Sequence, residues 1–124
     1  MINKVIKISI LLPTFNCGLF VRRTFESIKW ADEIVVIDSF SNDNTIQIAK
    51  EYGAIVIQHE YINSAKQKNW ALQHCKFNWI FQIDSDEILE IAKQSDISYV
   101  FKRNKSLSTD DASKWEVFKD LVLR

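Results

Sequence analysis

The sequence predicts an α/β fold: a mostly parallel sheet with helices on both faces. Short apolar runs rich in β-branched and aromatic residues recur along the chain, and segments with helical spacing separate them. The runs are continuously apolar instead of alternating, as strands buried on both faces are. They read VIKISILL (5–12), EIVVID (33–38) and WIFQID (79–84), with weaker candidates in AIVIQ (54–58) and ISYVFKR (97–103).

Three helices fit between them. Residues 18–29 place Val21, Phe25 and Ile28 on one face. Residues 43–52 do the same with Ile46, Ala49 and Tyr52; Ser41 to Asp43 are cap candidates, and Gly53 stands where a left-handed residue closes a helix. Residues 63–75 carry Ala65, Leu72 and Cys75 on one stripe, interrupted by Lys68 and Asn69. The order is β-α-β-α-β-α-β, with 1–103 read as one domain. Residues 104–124 read as a loop and a terminal amphipathic helix from Asp111, with Trp115, Phe118, Leu121 and Val122 on the side expected to pack on the sheet domain.

Composition removes several function classes. The chain has 124 residues, the size of one small domain, and its 16 Lys and Arg balance 16 Asp and Glu. With no net field and no basic stripe, nucleic acid is not an expected partner. The apolar opening is interrupted by Lys4 and Lys7 and ended by Pro13, well short of the roughly 20 residues of a spanning helix, and neither a signal peptide nor a transmembrane helix is expected. Cys17 and Cys75 form no ligand cluster and read as free thiols of a reducing cytoplasm. His59 and His74 are isolated and carry no chemistry on this reading, and Trp30 and Trp79 read as core.

Ligands of an open parallel sheet bind at the carboxyl ends of its strands. There the sequence places PTFN (13–16), DSFSNDNT (38–45) and DSDE (84–87). A glycine-rich phosphate loop cannot be written, because the chain has two glycines, Gly18 and Gly53. Asp84 and Asp86, two apart on an extended segment, would project to one side, and a bound divalent cation such as Mg²⁺ or Mn²⁺ would relieve their repulsion and hold substrate phosphates. The competing reading makes Asp86 the cap of a helix over 87–93 and Asp84 a solvated strand end.

ISILLPTFN, ADEIVVIDSFSNDNTIQIAKEYGAIVI, AKQKNWAL and WIFQIDSDE, in that order, resemble the nucleotide-binding half of family 2 glycosyltransferases of the GT-A fold, the bacterial lipopolysaccharide core enzymes above all. The resemblance runs from Lys7 to Glu87. It implies a Rossmann-like half that binds a nucleotide-diphosphate sugar, with a UDP-sugar the first expectation, and transfers the sugar with inversion to a glycan or glycolipid hydroxyl. It places Thr14 and Phe15 beside the base, Asp38 in hydrogen bonds to it, Lys68 near base and phosphates, Asp84 near the ribose and Asp86 on Mg²⁺ or Mn²⁺. It also implies a cytoplasmic enzyme, peripheral at the inner face of the membrane.

Some residues depart from the family pattern. Phe40 and Asn44 stand where glycines are usual, and phenylalanine suits a left-handed turn poorly. Lys68 replaces an arginine and loses its planar fork. After Glu87 the acceptor-binding half and its general base do not follow, and Asp110 and Asp111 read as an N-cap pair. The alternative to a transferase is a non-catalytic remnant or regulatory module that keeps the nucleotide-binding fold; a phosphoacceptor or nucleotidyltransferase-like domain ranks last.

Overall fold

The computed structural model describes residues 7–61, 63–86, 99–102 and 105–106. Six strands form one sheet: β1 (Ile8–Thr14), β2 (Glu33–Asp38), β3 (Ile55–Gln58), β4 (Trp79–Gln82), β5 (Tyr99–Lys102) and β6 (Lys105–Ser106). Their spatial order is β3-β2-β1-β4-β5-β6. The first four run parallel, while β5 and β6 join antiparallel. Three helices, α1 (Val21–Ile28), α2 (Thr45–Glu51) and α3 (Ser64–Leu72), alternate with the parallel strands as expected. The terminal helix expected from Asp111 lies outside the described residues, as does the alternative helix over 87–93.

The central strands are mostly apolar because both of their faces are covered. Ile8, Ile10, Leu12 and Val36 pack with Val21, Phe25 and Ile28 of α1 and with Ile48 and Ala49 of α2. Leu11, Val35, Ile37 and Ile80 meet Ala71 of α3 and Cys75 on the opposite face. This division follows from handedness: successive steps from β1 to β2 to β3 put α1 and α2 on one side. The return from β3 to β4 carries α3 to the other. Trp30 and Trp79 pack against the first cluster, as expected, and both cysteines are buried free thiols.

One helical stripe sits differently from the sequence expectation. In α2 the buried residues are Thr45, Ile48 and Ala49. The helix turns Thr45 inward because its hydroxyl accepts the Cys17 amide at 3.0 Å, which leaves Ile46 only half-buried. In α3 and beyond it Leu72 packs against the core and Cys75 is buried, as expected, and among the described residues Gln67 and Ala71 are buried in line with Cys75 at spacings of four. His59 stacks on Trp70 at a ring distance of 3.7 Å and His74 lies tilted against it at 4.3 Å, in line with a structural role.

Candidate functional site

The strand order reverses direction between β1 and β4. The chain leaves β1 toward β2 on one face and arrives at β4 from α3 on the other, so the loops part and open a crevice at the carboxyl ends. An open cleft of about 750 Å³ occupies that place, bordered by Pro13, Thr14, Phe15, Phe20, Phe40, Glu60, Tyr61, Gln67, Asp84 and Asp86 among others. A smaller cavity of about 100 Å³ beneath it shares Pro13, Tyr61, Gln67 and Asp84. β4 ends at Gln82, so Asp84 and Asp86 lie past the strand, beyond reach of its two-residue alternation. Both nevertheless border the one cleft. Their loop is tied down by the Thr24 hydroxyl of α1, which donates to the Ser85 carbonyl at 2.9 Å.

Register places the second group of site residues. Thr14 pairs with Asp38 across β1 and β2, and Asp38 pairs with Gln58 across β2 and β3. Asp38 is 0% exposed, and its carboxylate collects donors from all sides. Oδ1 accepts the hydroxyls of Thr14 and Ser41, each at 2.6 Å. Oδ2 accepts the Ser41 amide at 2.8 Å and the Gln58 side-chain amide at 2.9 Å. A carboxylate has about four lone-pair sites, and here each has a donor from the chain itself. Gln58 completes the clamp by accepting the Phe40 amide at 2.8 Å.

This clamp bends the chain sharply. Phe40 takes φ 57°, the left-handed conformation that the sequence made doubtful for phenylalanine, while Asn44 at φ −87° does not. The Phe40 ring is 63% exposed beside the cleft, so burial does not offset the strain. Phe40→Gly is expected to raise stability by about 0.5–1 kcal/mol, read as a higher urea midpoint at unchanged m-value.

Asp43 joins the neighbouring loop. Its Oδ1 accepts the Thr45 amide at 2.9 Å as well as the Thr45 hydroxyl, and its Oδ2 accepts the Gly18 amide at 2.9 Å. These bonds, the Thr45 hydroxyl foremost, hold the carboxyl below its ordinary range. A depressed carboxyl contributes stability that is present above the ordinary aspartate value and is lost as pH falls through the lowered one. Melting temperature should therefore fall less steeply below about pH 4 in Asp43→Asn than in the parent chain. Cys17, also beneath this loop, is 1% exposed, and burial pushes its thiol up, away from nucleophilic chemistry.

Of the residues expected from sequence, Thr14, Phe15, Asp84 and Asp86 border the cleft, and Asp38 lies directly under it through Thr14. Lys68 falls on α3 next to Gln67; its side chain lies outside the described residues. Gln58, Ser41, Tyr61 and Gln67 were not anticipated. Gln58 could have been found as the polar end of the strand after Asp38, and Gln67 as the polar break in an otherwise apolar i, i+4 series. Among the described residues no group of three or more His, Cys, Asp or Glu gathers to hold a metal. The donor set at Asp84 and Asp86 still fits Mg²⁺ or Mn²⁺, which are commonly held by one or two carboxylates and complete their shell with water and substrate phosphates.

The family model for glycosyl transferase family 2 matches residues 9–106, which take in every element described above except the first residue of β1. The chain belongs to that family. An uncharacterized glycosyltransferase of Rickettsia bellii is 40% identical over 96 residues, covering 77% of this chain and 33% of that protein. The lipopolysaccharide core biosynthesis glycosyltransferase LpsC of Rhizobium meliloti is 32% identical over 90 residues, covering 68% of this chain and 33% of that protein. The chain thus spans about a third of the relatives it matches. Among solved structures, glucosyl-3-phosphoglycerate synthase from Mycobacterium tuberculosis in complex with Mn²⁺, UDP and phosphoglyceric acid is similar at a TM-score of 0.57 and 27% identity, covering 68% of this chain and 34% of that one. The fold is accordingly the Rossmann-like GT-A arrangement.

Proposed function

We propose that this glycosyltransferase-family chain binds a UDP-sugar in the cleft between β1 and β4 and serves its transfer, with inversion, to a hydroxyl of a glycan or glycolipid such as lipopolysaccharide core. The observation that carries the reading is the convergence of Thr14, Phe15, Asp84 and Asp86 on one cleft at the point where strand order reverses. The Mn²⁺ and UDP in the related synthase complex support the donor class, and the name of LpsC supports the acceptor class.

In this reading Phe15, 61% exposed at the cleft, offers a flat apolar surface to the base. Asp38 acts from below, holding Thr14 and the Ser39–Ser41 turn in place so that the base pocket is formed before the ligand arrives. Lys68 supplies positive charge on the α3 side, and Asp84 faces the ribose. Asp86 would hold Mg²⁺ or Mn²⁺, which supplies charge neutralisation for the departing diphosphate. No residue of this chain is assigned as the base that activates the acceptor. A cytoplasmic location, peripheral at the inner face of the membrane, is part of the proposal.

Calorimetric titration with UDP in Mn²⁺ and in chelator tests the donor site. Metal-dependent binding is the expected result. Absence of binding to UDP, and equally to GDP, CDP and dTDP, would sink the donor reading. A non-catalytic module would bind UDP and, given an acceptor and a UDP-sugar, release no UDP above background.

A further inference from the structure

The buried face of α1 carries Val21, Thr24, Phe25 and Ile28. Three of these are apolar and 0% exposed; Thr24, at 1%, brings a hydroxyl into that face. A helical threonine commonly returns its hydroxyl to a carbonyl in the preceding turn of its own helix. This one donates to the Ser85 carbonyl at 2.9 Å, 61 residues along the chain. The accepting oxygen belongs to the peptide unit whose nitrogen is that of Asp86, and a peptide unit is planar. Pinning the Ser85 carbonyl therefore also orients the backbone from which the Asp86 side chain departs. Ahead of Asp84, the Ile83 amide donates to the Leu11 carbonyl of β1 at 3.2 Å. The acidic loop is thus fixed to β1 before Asp84 and to α1 just before Asp86.

Resting on the donor reading above, we infer that Thr24 is a positioning residue for the metal: its hydroxyl holds the Ser85–Asp86 peptide so that Asp86 meets Mg²⁺ or Mn²⁺ in one orientation. Mg²⁺ demands near-octahedral geometry at about 2.0–2.1 Å, so a carboxylate on a loop free to turn would hold it less tightly. Groups that orient a metal's ligands typically contribute about 10–100-fold to its affinity. Valine has nearly the shape of threonine and would keep the α1 face apolar without burying a hydroxyl, but it cannot hold the Ser85 carbonyl. The anchor is also well placed to stay still. Its neighbours on α1, Val21, Phe25 and Ile28, belong to the core that packs against β1 and β2.

The test measures Mn²⁺ affinity by electron paramagnetic resonance of the free ion at saturating UDP, beside calorimetry of UDP in chelator, at a temperature where melts show every variant folded. Thr24→Val is expected to weaken Mn²⁺ binding about tenfold or more while UDP binding in chelator stays within about twofold of the parent. Thr24→Ser, which keeps the hydroxyl, should hold Mn²⁺ within about twofold of the parent. A threonine that served packing alone would lower the melting temperature of the valine variant without this split. Thr24→Ala, smaller than the native side chain, should show the same split and replaces valine should that variant not fold. Unchanged Mn²⁺ affinity in the valine or alanine variant, equal losses with and without Mn²⁺, or a serine variant as weak as valine overturns the inference and leaves the donor site standing. Failure of the parent chain to bind UDP in Mn²⁺ overturns the donor reading and the inference with it.

Discussion

Asp86→Ala is expected to remove Mn²⁺-dependent UDP binding, lowering affinity on the order of 100-fold or more while the melting temperature stays within about a degree or two of the parent. The first part follows from the chemistry of a diphosphate in an otherwise apolar cleft. Phe15, Phe20, Phe40 and Tyr61 supply much of its wall, and none can neutralise phosphate charge. In the proposed reading a cation held by Asp86 does so, with Lys68 on the α3 side. The second part follows from exposure: Asp86 lies at the surface, and among the described residues its loop is anchored by the Ser85 carbonyl, which accepts the Thr24 hydroxyl. Surface substitutions of this kind change stability by about 0.5 kcal/mol at most. Calorimetry with and without Mn²⁺, beside a thermal melt, separates loss of the site from loss of the fold. A variant that keeps metal-dependent affinity would remove Asp86 from the site.

Asp38→Ala should have the opposite signature, costing about 3–5 kcal/mol of stability measured by urea unfolding at neutral pH. The carboxylate is buried and receives four donors, so its removal leaves the buried Thr14 hydroxyl, the half-buried Ser41 hydroxyl and amide and the Gln58 side-chain amide without their partner. That is a large share of the 5–15 kcal/mol typical of a domain. Asp38→Asn should cost only about 1–2 kcal/mol. The reason lies in which donors can reverse. Thr14 and Ser41 donate to Oδ1 through hydroxyls that can turn to accept an amide, whereas the Ser41 N–H and Gln58 amide on Oδ2 cannot, and an asparagine oxygen placed there keeps both. Equal losses for Ala and Asn would contradict this arrangement.

The parallel sheet was legible because β1 and β2 are covered on both faces and so read as unbroken apolar runs; EIVVID is β2 to the residue. Strand ends were less legible. β1 extends through Pro13 to Thr14, since a proline still accepts in a parallel ladder, and β4 stops at Gln82 where the chain turns to present Asp84 and Asp86. Thr14, Phe15 and the acidic pair were found because they follow strands, a purely topological signal. Gln58 and Gln67 were not, because the signals they give, a polar strand end and a polar break in a helical series, do not say what the side chain meets; for Gln58 it is a carboxylate 20 residues away. Phe40 shows the limit of propensity: the four bonds to Asp38 and the Gln58 clamp hold a left-handed turn that phenylalanine alone disfavours.

The central claim is that the cleft between β1 and β4 takes a nucleoside diphosphate through a metal at the acidic loop. Paramagnetic broadening tests it most directly: amide spectra of the ¹⁵N-labelled chain are recorded while Mn²⁺ is added at trace level in the presence of UDP. The account predicts that signals of Ser85 and Asp86 vanish first, followed by Thr14 and Phe15, with the β3 edge unaffected. Broadening centred elsewhere, or broadening at Asp86 that is the same with and without UDP, would contradict it.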